Sequence, residues 1–273
     1  MVRAVFQVIV FSFFLSLATE SALVAATYHN MSKSQVHRLA DRQNDVPSEQ
    51  VVAHWLNWVS QPGACSLCAG HFVIAPTLLA NPNPKPMNVL PTTVTSQGPS
   101  LLKENGVSVL KKKVVVTQKG RLAHSDLAFI HYSSRSGKVQ KIKMVGHVRL
   151  AESRRLVVGK TGFLNFQRQH YQVHHGWYRF EAPSIKGDVH YWGRAEQFDH
   201  FKNGDTVVKN GSISSCAPIR PFWQMRGQHF LYSRQRHFLY GRGGSLFIKG
   251  VPVFYTPYFW FPVGDKRRSG WLM

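Results

Sequence analysis

Apolar and polar positions alternate with a period of two along much of the chain after about residue 101. Lys141-Ile142-Lys143-Met144, His147-Val148-Arg149-Leu150 and Tyr171-Gln172-Val173-His174 show it cleanly. Successive side chains of an extended strand point to opposite faces, so the pattern predicts strands with one wet and one apolar face. Turn residues at Ser136-Gly137, Asn203-Gly204-Asp205 and Asn210-Gly211 separate the runs and predict hairpins. No long stretch carries helical periodicity. Residues 101–250 therefore read as an all-β domain of antiparallel strands.

A faint repeat underlies these strands. Ser125, Gly159, Gly193 and Gly227 stand 34 residues apart, and Phe129, Phe163, Phe198 and Phe230 follow them. Such a period fits stacked hairpins, each completing its neighbour's core.

The chain reads differently before residue 101. Residues 27–60 are polar apart from Val51-Val52-Ala53-His54-Trp55-Leu56, which suits a short helix or a strand equally. Pro76, Pro82, Pro84, Pro86, Pro91 and Pro99 make residues 75–99 a linker or long loop, since proline removes a backbone donor. Residues 27–100 are thus expected to be an irregular region ending in a proline-rich linker. At the start, Arg3, an apolar run from Ala4 to Ala18 and small residues at Ala22, Ala25 and Ala26 form the layout of a signal peptide over residues 1–26. The run is shorter than the ~20 apolar residues that a membrane-spanning helix needs.

Composition adds a partner class. The 273 residues carry a formal charge of +21, which favours anionic partners. Export argues against nucleic acid and leaves anionic lipid or a phosphorylated glycolipid. Residues 101–160 hold fourteen Lys or Arg against Glu104, Asp126 and Glu152, densest at Lys111-Lys112-Lys113. Lysines also protect exposed strand edges from pairing, and that reading suffices for the run by itself.

Chemistry finds little foothold. Cys65, Cys68 and Cys216 are an odd set for an exported chain, which suggests one bridge and a leftover thiol, or bonds to segments absent here. Cys65-x-x-Cys68 could be a redox motif or half of a zinc site with His54 or His71. No βαβ pattern surrounds it and no second ligand pair follows, so a disulfide role is preferred. Of the fourteen histidines, His174, His175, His124 and His147 sit on alternating strands without an acidic companion in the sequence and read as wet-face residues. Glu181, Glu196, Asp199 and Asp205 form no motif with a nucleophile, and no phosphate loop or nucleophile elbow is present. Neither an enzyme nor a cofactor or metal is expected.

The last segment is the most specific. Val251-Pro252-Val253-Phe254-Tyr255-Thr256-Pro257-Tyr258 runs on to Pro262-Val263-Gly264-Asp265-Lys266-Arg267-Arg268-Ser269-Gly270-Trp271-Leu272. It is extended and aromatic-rich. Prolines at 252, 257 and 262 oppose regular central-strand pairing. This run resembles the junction of LptD-family proteins, also known as organic solvent tolerance or OstA-like proteins, where a periplasmic domain meets an outer-membrane β-barrel. Pro252, Tyr255, Pro257, Asp265, Arg267, Arg268 and Gly270 carry the match. Ser214-Ser215-Cys216-Ala217-Pro218 followed by Trp223, and Gly146-His147-Val148, resemble further family stretches. The resemblance covers about residues 105–273.

It implies a β-jellyroll of the LptA type over residues 101–250, with residues 251–273 leading into a barrel that this sequence lacks. Acyl chains of lipopolysaccharide would lie between the sheets and phosphorylated sugars outside. Strand alternation then nominates Val148, Leu150, Phe163, Tyr171 and Val173 as lipid contacts. The implied partners are lipopolysaccharide, an LptA-like bridge jellyroll adding strand to strand, and an LptE-like lipoprotein if a barrel is present. In the family the cysteine matching Cys216 bonds to a barrel cysteine. The other readings are a barrel-less periplasmic carrier, a non-functional remnant, or a redox protein built on Cys65 and Cys68.

Overall fold

The structure, a computed structural model, describes residues 47–61, 70–80, 86–103, 106–133, 136–182 and 189–263. The signal peptide, Cys65, Cys68, Asp265, Arg267, Arg268 and Gly270 lie outside these residues.

Ten long strands carry the fold. They are β5 (Val107–Gln118), β6 (Arg121–Tyr132), β7 (Val139–Glu152), β8 (Arg155–Asn165), β9 (His170–Ala182), β10 (Val189–His200), β11 (Thr206–Ile213), β12 (Trp223–Ser233), β13 (Phe238–Ile248) and β14 (Val251–Pro262). Each pairs antiparallel with the next, in unbroken sequence order. Short hairpin connections make consecutive strands neighbours. The start of every even strand from β6 to β12 falls 34 residues after the last, at Arg121, Arg155, Val189 and Trp223. The sequence repeat is therefore a hairpin repeat.

The repeat also marks where the strands bend. Left-handed backbone occurs mid-strand at Lys112, Lys113, Gly146, His147, His175, Asn210 and Gly243, all on odd strands. Register breaks opposite them, between Lys111 and Val114, His124 and Leu127, and Val145 and Val148. Bulges add local twist and turn a strand's direction. Aligned across the sheet, they fold it over on itself into two layers. Asn210-Gly211 is thus a mid-strand bend in β11, not the hairpin turn its composition suggests, because left-handed Asn serves either purpose.

Small residues line the bend. Gly159, Gly176, Ala195, Gly211 and Gly227 are successive cross-strand partners. A Cβ on Gly159 would sit 2.5 Å from Val173 Cγ1 and 2.8 Å from the His174 carbonyl oxygen. Glycine is needed there because the layers converge.

Between the layers lies one dry core. Ile130, Ile142, Leu164 and Phe198 come from the first layer, and Val116, Leu150, Val157 and Tyr178 from the second. Contacts across the gap confirm the closure: Tyr178 and Phe198 rings lie 5.3 Å apart, and Phe180 and Tyr232 5.8 Å.

The described residues before 101 hold more regular structure than their composition suggests. The 51–56 patch is a helix, α1 (Glu49–Trp55), with the Ser48 hydroxyl accepting from Val51 N. With the hairpin β1 (Trp58–Ser60) and β2 (Gly70–Phe72), it covers the outer face of the second layer. Val52, Leu56 and Phe72 pack there on Leu156, Val158 and Trp192. Arg149 secures this cap by donating to Trp55 O at 2.7 Å and Asn57 Oδ1 at 3.0 Å.

Within the expected linker stand α2 (Pro76–Leu79) and the edge strand β3 (Thr93–Thr95). Pro76 opens α2, where no backbone donor is required. β3 and β4 (Ser100–Lys103) both pair with β5, one on each side of its bend. At the opposite edge, β14 belongs to the same sheet and pairs with β13. Its prolines are tolerated because no strand follows on its outer side among the described residues.

Candidate functional site

The space between the layers is the feature that the whole fold builds. Most of it is filled by side chains. Val148, Leu150, Tyr171 and Val173 all point into it and are buried. Phe163 does not. Its neighbours Gly162 and Leu164 face the interior, the former directed at Val148 Cγ1 and Met144 Cε. Phe163 lies half-exposed on the outer face, paired with Lys143 and Gln172. The Gly146-His147 bulge shifts the register of β7 against β8, so counting alternate residues across it goes out of phase.

The two layers meet again at the strand ends, forming a lip with polar contents. Arg121 Nε lies 2.8 Å from Glu152 Oε1, and Arg155 Nη1 lies 3.3 Å from Glu152 Oε2. Arg155 Nη1 also donates to the Tyr171 hydroxyl at 3.0 Å. Burial works against the Arg155 charge, but Tyr171 and Glu152 more than offset it and its pKa is raised. Burial raises the pKa of the Tyr171 phenol, so it stays neutral beside the guanidinium. His200, from the first layer, is held well below the ordinary histidine value by burial and then by Arg155, Arg234 and Arg121. A cavity of about 30 Å³ beneath this lip touches Arg121, Glu152 and Tyr171.

The interior opens toward β14. One inner-face row runs from Ile213 through Met225 and Leu246 to Phe254, each the cross-strand partner of the next. Ile213 is 2 % exposed, Met225 and Leu246 are half-buried, and Phe254 is 59 % exposed. The outer side of β14 is also apolar at Val253, Tyr255, Tyr258 and Trp260. Of the expected junction residues, Pro252, Tyr255 and Pro257 stand exposed along this edge strand.

Sequence reasoning missed the lip. Arg121 and Arg155 start β6 and β8 at matching repeat positions, which was the available signal. Cys216 is fully buried, and its carbonyl oxygen accepts from Trp192 Nε1. Among the described residues, no group of three or more His, Cys, Asp or Glu is placed to hold a metal ion.

A single antiparallel sheet folded along a line of bulges, packed within, cationic at its lip and open at one edge, defines an all-β jellyroll. The chain is 34% identical over 82% of its length to the LPS-assembly protein LptD of Coxiella burnetii, covering 26% of that protein. It is 26% identical over 87% of its length to LptD of Legionella pneumophila, and 28% over 75% to LptD of Pseudomonas putida. The chain is similar to these LptD proteins over most of its own length and spans about a quarter of theirs. No protein-family model matches it. A search of solved structures returns LptH, the LptA homologous periplasmic component of the lipopolysaccharide transport device from Pseudomonas aeruginosa. That likeness has 14% identity and a TM-score of 0.26, over 56% of this chain and 83% of the other, and nothing below rests on it.

Proposed function

We propose that the chain is a non-enzymatic lipopolysaccharide-transport module, exported through residues 1–26 and working on the periplasmic side of the outer membrane. Lipopolysaccharide acyl chains pass between the two layers while the phosphates track the arginines of the lip. An LptA-like bridge protein adds to the sheet at the β3 and β4 edge, and the β14 edge faces a barrel. An LptE-like lipoprotein enters only with that barrel.

The observation that carries this reading is the inner row from Ile213 to Phe254, which turns from dry core to open apolar surface within three strand steps. A graded opening gives acyl chains an apolar path with an exit. Each methylene moved from water into such a path contributes roughly 0.8 kcal/mol. Since the interior is packed elsewhere, entry requires the layers to part, and the Arg155–Tyr171 and Phe180–Tyr232 contacts are the ones that must open.

Photo-crosslinking amino acids at Leu246 and Phe254, with Phe163 as an outward control, test the path. Lipopolysaccharide adducts are expected at the first two positions and not at the third. Equal labelling at all three, or none at Leu246 and Phe254, would sink the proposal.

A further inference from the structure

A concavity lies outside the space between the layers. On the outer face of the second layer, a cleft of about 1090 Å³ opens between the start of α1, the outer side of β9–β12 and the segment leading into β12. Its floor is aromatic. Trp177 and Trp192 stack at 6.0 Å with planes 27° apart, and Trp192 Nε1 donates to the Cys216 carbonyl oxygen. Its rim is basic. Arg194, Arg220, Arg226 and Lys249 line it against two carboxylates, Glu49 and Glu196. Those carboxylates are engaged: Glu49 Oε2 accepts from Arg220 N at 3.0 Å, and Glu196 Oε2 from Asn210 Nδ2 at 2.7 Å.

We infer that this cleft binds a phosphorylated saccharide. The neutral hydroxyl and amide groups of the cleft are already used, with Ser212 Oγ accepting from Arg194 N and Gln224 Nε2. What the walls offer a ligand is cationic heads and the half-exposed ring of Trp177, since Trp192 beneath it is buried. Arg226 and Lys249 already lie over Phe247 and Phe222, at 4.2 and 5.9 Å, and a guanidinium on a ring keeps its in-plane N–H donors. A ligand that satisfies both must bring an anion and a flat apolar C–H face, and a sugar phosphate has both. Guanidinium pairs well with phosphate through two parallel hydrogen bonds. The volume is just above the roughly 300–1,000 Å³ typical of small-molecule sites, as suits an open cleft. An acidic peptide fits less well, because the backbone of β9–β12 beneath it is consumed in the sheet ladder. The cleft lies outside the space between the layers, so the inference does not rest on acyl-chain transport.

Isothermal titration of the whole chain with glucose 1-phosphate, inorganic phosphate and glucose, at one ionic strength, tests it. Glucose 1-phosphate is expected to bind at least tenfold more tightly than either fragment. The exposed double variant Arg194→Gln with Arg226→Gln is expected to lose at least tenfold in affinity at unchanged melting temperature. Equal affinity for phosphate and glucose 1-phosphate, unchanged binding by the double variant, or tighter binding of a tetraglutamate peptide would each overturn it. Failure of the crosslinking experiment at Leu246 and Phe254 would leave this result untouched.

Discussion

Arg155 Nη1 donates to the Tyr171 hydroxyl at 3.0 Å, joining residues from opposite layers of the folded sheet across its lip. Arg155 begins β8 in the second layer and Tyr171 stands at the start of β9 in the first. Removing the hydroxyl with Tyr171→Phe leaves Arg155 its Glu152 partner but takes away one tie between the layers. A hydrogen bond to a charged, largely buried group contributes about 2 kcal/mol net. Urea denaturation of Tyr171→Phe is expected to show a lower midpoint at unchanged slope. An unaltered midpoint would mean that the lip does not hold the layers.

His200 makes stability depend on pH. Burial, aided by Arg155, Arg234 and Arg121, holds its folded-state pKa well below 6.5. The unfolded chain therefore takes up a proton near pH 6.5 that the folded chain refuses. The stability tied to neutral His200 is present above that pH. It is lost as the pH falls below it, down to the folded-state value. The slope approaches about 1.4 kcal/mol per pH unit inside the window. His200→Gln should flatten the acid side of the stability profile relative to the parent, measured by chemical denaturation between pH 4 and 8; parallel profiles would contradict this.

The bend tolerates no added bulk. Gly159→Val drives a side chain toward Val173 Cγ1 and the His174 carbonyl, where even a Cβ is too close. Overpacking of this kind costs about 1–3 kcal/mol, and the rigid backbone on one side favours the upper end. The expected readout is a melting temperature several degrees lower, and wild-type melting would show that the layers do not converge at this line.

The register of β8 can be checked with two neighbours. Leu164→Ala empties part of the core and should cost about 2–5 kcal/mol. Phe163→Ser, on the outer face, should cost less than about 1 kcal/mol. The opposite order would place Phe163 inside and reverse the assignment of faces along β8.

Much of this architecture is legible in the chain. Period-two alternation announces the strands, and the 34-residue spacing announces hairpins of constant length. The run from Val251 to Leu272 carries enough specific residues to point to a family by itself. The face of Phe163 is not legible, because one bulge inverts the parity of everything beyond it. Asn210-Gly211 is ambiguous for a related reason: the same dihedral angles serve a tight turn and a mid-strand bend. The strand found within residues 75–99, β3, depends on β5 offering a free edge beyond its bend, which local composition does not encode.

The sequence alone determined that strands form, that the chain carries a strong positive charge, and which family it resembles. These follow from local side-chain periodicity and from short, specific motifs. Only the tertiary structure decided that the bends align into one fold, that Arg155 meets Tyr171, and that the inner row opens at Phe254. Each of those depends on residues brought together by closure of the layers, and closure is set by the summed register of every strand.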